Sequence, residues 1–292
     1  VTTSRFRFAV PPPTHHPTGS IISSPRVIIS AQRDVGEGGN EGTQEYVRNT
    51  SERHGCKVAM NGGFFNPDNG KTIGNYRLTD SDGTKISVLD LNQHRNVGIG
   101  VIEKTGEVFV GYNDTSDLKL DDFEWYVSGC LWLVKNGSPY VETSVDQDDM
   151  TVQTTGVPRF VQVLSARTAA CVKNDGTVEF VVVEGKTDVY GINLIDFSNY
   201  LSNLNYAHCV NLDGGGSVSV VYDSEVDLIT PGYECEGDEY YYKQRCAKKI
   251  STVVCLLDDD GKDPSPSQQT PPPTVAPPSS ESDNSTTPST ST

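Results

Sequence analysis

The sequence predicts an α+β fold: a single mixed domain dominated by β-sheet, with a few helices and a disordered C-terminal tail. Three observations carry this expectation. Nine short runs are dense in apolar and β-branched residues. Turn signals built on Asn and Gly separate several of them. Only two segments show helix signals.

The runs span residues 26–30, 96–102, 107–112, 130–135, 169–173, 178–184, 208–212, 218–222 and 251–257. Lys104-Thr-Gly106, Asn136-Gly137 and Asn174-Asp-Gly176 fall between them, and two of these turns join runs of matching length, as hairpins do. The first helix is expected over 43–54, stopped by Gly55. The second is expected over 193–203, where Leu194, Phe197, Leu201 and Leu204 follow helical spacing. Asn193, with Asp196 three positions on, resembles a capping box there. Pro11, Pro12 and Pro13 exclude a helix near the amino terminus and favour an irregular, extended arm over 1–24. From 263 to 292 the chain is almost entirely Pro, Ser, Thr and Gln, with Val275 and Ala276 its only apolar residues. Such a segment cannot bury enough surface to offset its ordering entropy. The folded domain is therefore expected over 25–258, between the arm and a tail over 259–292. About 260 residues suffice for one sizeable core.

Asp and Glu outnumber Lys and Arg by 39 to 23, giving a formal charge of −16. That field repels a phosphate backbone and argues against nucleic acid as a partner, while a small anionic substrate stays compatible if a few cations converge. Seven cysteines, at 56, 130, 171, 209, 235, 246 and 255, include no CxxC pair or Cys/His cluster at zinc spacing. Sequons begin at Asn49, Asn113 and Asn284; a fourth at Asn136 is followed by Pro139. With the cysteines and the tail, they indicate an oxidising compartment in which disulfides form. Cys235 with Cys246 is the best local pair, closing an acidic, Tyr-rich loop; the other pairings stay open. No apolar run reaches the roughly 18 residues of a membrane helix. The chain opens at Val1 without a signal-peptide pattern, so it reads as a processed form, and any membrane anchor is expected beyond this sequence.

Two glycine-rich segments point to a site. Met60-Asn-Gly-Gly-Phe-Phe-Asn66 follows a strand-like stretch, and Asn211-Leu-Asp-Gly-Gly-Gly-Ser217 lies between two strands. Consecutive glycines suit a place where backbone turns sharply or approaches a ligand, with N–H groups free to face an anion. Asp213 is then either a reactive carboxylate or a turn residue bonded to its own backbone. A dinucleotide fingerprint does not fit, because the glycines lead into a β-rich run. Arg167 precedes one strand, and Glu184 ends another over the loop Gly185-Lys186-Thr187. Such a placement serves catalytic groups and solvated caps alike. The five histidines form no triad, and His208 reads as packing at a strand.

Taken in order, Asn61-Gly-Gly-Phe-Phe65, Gly74-Asn75, Phe160-Val-Gln-Val-Leu-Ser-Ala-Arg-Thr168, Gly191-Ile-Asn-Leu194, Asn211-Leu-Asp-Gly-Gly-Gly-Ser217, and Arg245-Cys246 with Ser251-Thr-Val-Val-Cys255 resemble the phosphodiester glycosidase family. The resemblance covers nearly the whole folded part. It implies a secretory-pathway hydrolase, Golgi-lumenal or secreted, acting on α-N-acetylglucosamine joined through phosphate to mannose. The sugar would be released and mannose 6-phosphate exposed on a glycoprotein. Another phosphate-linked glycan, or carbohydrate binding without catalysis, are the alternatives. On this reading Asp213 attacks or activates water, Glu184 is its partner acid/base and Arg167 clamps the phosphate, with Arg245 and Lys248 as further cations. Asn61, Gly62, Gly63, Phe64, Asn75, Thr168, Asn211, Gly214, Gly215, Gly216 and Ser217 would line the substrate. No cofactor or metal is expected.

Overall fold

The computed structural model describes residues 3–9, 26–29, 44–79, 84–90, 95–113, 116–148, 156–222, 225–229 and 247–256. The strands are β1 (Thr3–Ala9), β2 (Arg26–Ile29), β3 (Val58–Asn61), β4 (Tyr76–Thr79), β5 (Lys85–Val88), β6 (Val97–Ile102), β7 (Val108–Tyr112), β8 (Phe123–Ser128), β9 (Trp132–Lys135), β10 (Ser138–Pro139), β11 (Arg167–Val172), β12 (Thr177–Val183), β13 (His208–Asn211), β14 (Ser219–Tyr222), β15 (Glu225–Ile229) and β16 (Thr252–Leu256). Among the described residues four α-helices accompany them: α1 (Val47–His54), α2 (Val141–Val145), α3 (Val157–Gln162) and α4 (Leu194–Asn203).

The strands form two sheets. One has six strands in the order β1-β12-β11-β13-β9-β10, all antiparallel. The other has ten, β15-β14-β3-β16-β2-β4-β8-β6-β7, with β5 on β4 and a single parallel pair, β2 with β4. The sheets pack face to face. Ala170, Val172, Phe180, Val182 and Val210 of the first meet Met60, Ile99, Trp125, Val127 and Val254 of the second in one cluster. Strand periodicity sends Ala169, Cys171, Val181 and Val183 to the opposite face, where Leu194, Phe197 and Leu201 of α4 and Phe160 of α3 cover them. β11 and β12 are thus apolar on both faces, which explains their near-continuous hydrophobic runs. On the far side of the second sheet, Val47 of α1 packs on Ala59, Val221 and Val253. The result is an α/β/β/α stack, in agreement with the predicted α+β class.

Both expected helices form. Gly55 closes α1 in the left-handed conformation, at φ 64°. Asn193 caps α4 by accepting the Asp196 N–H at 2.8 Å. Other features depart from the sequence reading. Residues 3–9, expected in an irregular arm, form β1 and pair along β12 from Thr3 opposite Val183 to Ala9 opposite Thr177. Their alternation of polar and aromatic residues gave the signal, which the prolines beyond it masked. α2 and α3 are a turn or two long and too short to show a period.

Disulfides join Cys56 to Cys255 and Cys171 to Cys209, the latter across directly opposed positions of β11 and β13. Cys130 is buried and forms no disulfide among the described residues. Cys235 and Cys246 lie outside the described residues, as do Arg245 and Asn284. Asn49 is exposed on α1, and Asn113 is half-buried at the end of β7. Among the described residues, no helix is long and apolar enough to cross a membrane.

Candidate active site

The two glycine turns meet at one end of the stacked sheets. β3 runs out at Asn61 into Gly62 and Gly63; β13 runs out at Asn211 into Asp213 and the glycines. Register brings the start of β11 and the end of β12 to the same end, since Arg167 faces Val183 and Ala169 faces Asn211. Asn61 stitches the sheets together. Its Nδ2 donates to the Asp213 carbonyl at 2.7 Å, and its Oδ1 accepts from Thr168 Oγ1 at 3.2 Å. The Asp213 N–H reaches back to the Gly62 carbonyl at 3.2 Å, and the Leu212 N–H to that of Thr168 at 2.9 Å. Asn61, Thr168 and Asn211 are buried, so their polar groups hold the junction.

The Gly62-Gly63 turn is packed shut. The Gly62 N–H donates to the Thr252 carbonyl at 2.9 Å and the Gly63 N–H to Thr252 Oγ1 at 3.1 Å. A Cβ on Gly63 would stand 2.2 Å from the Tyr76 hydroxyl oxygen. These amides are therefore spent inside the fold, and the expectation that they face an anion gives way. Their glycines serve close approach instead. Phe64 is also buried, edge-on to Phe160 at 6.2 Å. Asn75 uses its Oδ1 to accept the Asp90 N–H at 3.0 Å.

The second turn is more open. Asp213 and all three glycines retain solvent contact. Gly215 takes φ +60°, the left-handed region that favours glycine, and its N–H donates to the Ala166 carbonyl at 2.9 Å. The Gly214 N–H donates to Asp213 Oδ1 at 2.8 Å. The bond expected of a plain turn is therefore present, but it leaves the carboxylate with further roles. The carboxyl is ringed by protein, and burial raises its pKa above the usual carboxylate value. Hydrogen bonds from Ser217 and the Gly214 N–H, and the charge of Lys248, act in the opposite direction. The Gly216 N–H makes no hydrogen bond within the described residues.

Arg167 is buried at 3 % exposure beneath this turn, and burial lowers its pKa to about 10, so it stays charged at neutral pH. Its Nη2 donates to the carbonyls of Phe160 and Val163, both at 2.9 Å, and its Nε to that of Ile192 at 3.3 Å. Among the described residues only Nη1 is left uncommitted, so a two-toothed clamp reduces to a single-nitrogen contact plus charge. Lys248 is half-buried, 5.1 Å over the Phe65 ring. Glu184 is half-buried at the end of β12, where its Oε1 accepts from the Tyr190 hydroxyl at 3.4 Å. His208 lies away from the site at the start of β13, its ring against Trp132 at 5.5 Å.

Four residues at this end escaped the sequence reading. Thr252 and Ser165 lie inside stretches that the motifs covered, and Thr187 lies in the loop after Glu184, but nothing in their spacing marks them. Tyr76, buried with its hydroxyl donating to the Phe64 carbonyl at 3.1 Å, carries no sequence signal. Among the described residues, no group of three or more His, Cys, Asp or Glu side chains could hold a metal ion.

Comparison with known proteins agrees with this architecture. The family model for phosphodiester glycosidase matches residues 54–256. N-acetylglucosamine-1-phosphodiester alpha-N-acetylglucosaminidase of Mus musculus is 30% identical over 233 residues, covering 78% of this chain and 43% of the relative. The Bos taurus enzyme of that name is 33% identical over 208 residues, 70% of this chain and 37% of the relative. The chain thus spans less than half the length of the curated relatives it matches. Among solved structures, the zebrafish catalytic domain of that name, auto-inhibited by its pro-peptide, superposes with a TM-score of 0.66 at 24% identity, covering 88% of this chain and 89% of that one. A hypothetical protein from Synechocystis shares the fold at TM-score 0.54 and 13% identity, over 87% of this chain and 58% of that one. With most of its folded part matched by the family model, the chain belongs to the phosphodiester glycosidase family.

Proposed function

We propose that this protein is a phosphodiester α-N-acetylglucosaminidase of the secretory pathway, Golgi-lumenal or secreted. It removes N-acetylglucosamine linked through phosphate to the 6-position of mannose on N-glycans, exposing mannose 6-phosphate. The reading rests on family membership and on the names of the relatives. The observation that carries it is the Asp213 turn: a protein-ringed carboxylate with raised basicity, acted on by the charge of Lys248, with the Gly216 N–H uncommitted among the described residues and the Arg167 side chain packed against Gly214. The two disulfides fit an oxidising compartment.

The chemistry follows from the bond broken. A phosphate monoester has a second pKa near 6, so it leaves the anomeric carbon without the full proton donation that an alcohol requires. The site must hold the phosphate, orient the sugar and stabilise positive charge at the anomeric carbon. Asp213 supplies the carboxylate that attacks or activates water, a role suited by its raised basicity. Glu184 assists with proton transfer. Arg167 and Lys248 offset the negative charge, and the glycines of the open turn let the substrate approach the backbone.

Incubation of the purified protein with N-acetylglucosamine-α-phospho-methylmannoside tests the reading. Free N-acetylglucosamine should appear, with mannose phosphate left intact. A folded protein that binds this diester without cleaving it is a carbohydrate-binding protein, and the enzymatic proposal then fails.

A further inference from the structure

The loop between β12 and α4 brings Thr187 against Ser165, which precedes β11, and so sets a hydroxyl pair beside the open glycine turn. Ser165 Oγ and Thr187 Oγ1 lie 2.9 Å apart. A Cβ on Gly215 would stand 3.5 Å from the Thr187 oxygen and 3.6 Å from the Ser165 oxygen, so the pair borders the turn directly. The two members differ in burial, and that fixes the direction of the bond. Ser165 is 3 % exposed and its side chain has no other hydrogen-bond partner among the described residues, whereas Thr187 is exposed. If Thr187 donated, the Ser165 hydrogen would be buried without an acceptor, at a cost of about 1–3 kcal/mol. Ser165 is therefore the donor. Thr187 accepts, and its own hydrogen points away from the pair.

The loop holds Thr187 in place. Lys186 and Tyr190 exchange backbone hydrogen bonds at 2.8 and 3.0 Å, and the Asp188 N–H donates to the Leu164 carbonyl at 3.0 Å. The Asp188 side chain pairs with Arg159. The hydroxyl is thus positioned before any ligand arrives, which lowers the ordering cost of using it.

We infer that Thr187 is a substrate-binding residue, donating its hydroxyl hydrogen to a non-ester oxygen of the substrate's phosphate. The inference rests on the function proposed above and adds a residue and a contact to it. Chemistry favours phosphate over sugar at this spot. Donors border this turn: the Thr187 O–H beside Gly215, the Gly216 N–H within it, and the Arg167 side chain, whose Cδ would lie 3.7 Å from a Cβ on Gly214. The non-ester oxygens of a phosphodiester only accept, whereas sugar hydroxyls both donate and accept.

Calorimetric titration with N-acetylglucosamine 1-phosphate and with N-acetylglucosamine tests this on wild type, Thr187→Val, Thr187→Ser and Ser165→Ala. A hydrogen bond to a charged group corresponds to about 10- to 100-fold in affinity. Thr187→Val should lose about that for the phosphate compound and keep wild-type affinity for the free sugar. Thr187→Ser should recover most of the loss, and Ser165→Ala should show a smaller one. Unchanged phosphate affinity in Thr187→Val overturns the inference. So does an equal loss for both ligands, or a wild type that does not bind the phosphate compound. Turnover of the diester by wild type, measured separately, distinguishes the two levels. Full turnover by Thr187→Val removes this contact alone, whereas an inert wild type removes the proposed reaction.

Discussion

Two glycine turns lie side by side at one end of this molecule and do different work. Gly62-Gly63 is buried, its amides bonded to Thr252 and its α-carbons pressed against Thr252 and Tyr76. Asp213-Gly214-Gly215-Gly216 keeps solvent contact, carries the one carboxylate of the pair, and leaves its last amide uncommitted among the described residues. The difference lies in their neighbours rather than their composition. The first turn is roofed by β16 and β4, and the second opens toward a loop that carries an exposed threonine. One turn locks neighbouring strands of the ten-stranded sheet together, and the other presents chemistry.

This contrast can be broken by substitution. Gly63→Ala should have the largest effect on folding, because its methyl would meet the Tyr76 hydroxyl oxygen at 2.2 Å in a filled core. Overpacking of this kind costs about 1–3 kcal/mol or more, readable as a clear fall in the denaturation midpoint. A midpoint equal to wild type would show that the closed turn has room. Thr252→Val comes next. It keeps the shape but strips the acceptor from the buried Gly63 N–H, and should cost about 1–3 kcal/mol. Thr252→Ser should restore that stability, and a neutral Thr252→Val would mean the amide finds another partner.

The smallest effect is a pH dependence in the open turn. Burial raises the Asp213 pKa in the folded state. Relative to the unfolded chain, folding then favours its protonation, so any contribution to stability is present at low pH and lost as pH rises through the folded-state pKa. Asp213→Asn removes that loss. Compared with wild type, the variant should be as stable or slightly more so at neutral pH, with its advantage vanishing below the ordinary carboxyl value of about 4. An advantage that grows on acidification would reverse the sign of the argument.

Much of the fold was legible because it depends on local pattern. Asn193 and the Leu194, Phe197, Leu201 spacing marked α4, and Gly55 marked the end of α1. β11, β12 and β13 showed as apolar runs because both of their faces are covered. β4 and β8 escaped the sequence reading, since their strand character comes from pairing with β5 and β6 as well as with each other. At the site, the two turns were visible as glycine clusters. Which amides remain free was not, since that depends on Thr252, a residue almost two hundred positions away that β16 delivers beside β3. Arg167 was legible as a candidate cation, but its three carbonyl partners come from α3 and the residues that follow it and precede α4, and no spacing announces them.

The most direct test of the account is the turnover of N-acetylglucosamine-α-phospho-methylmannoside by Asp213→Asn, beside wild type and Thr252→Val, at a temperature where all three are folded. Loss of an acid–base or attacking carboxylate should lower kcat by at least about 100-fold, while Thr252→Val keeps activity in proportion to its folded fraction. Near-normal turnover by Asp213→Asn would contradict the claim that the open turn carries the chemistry.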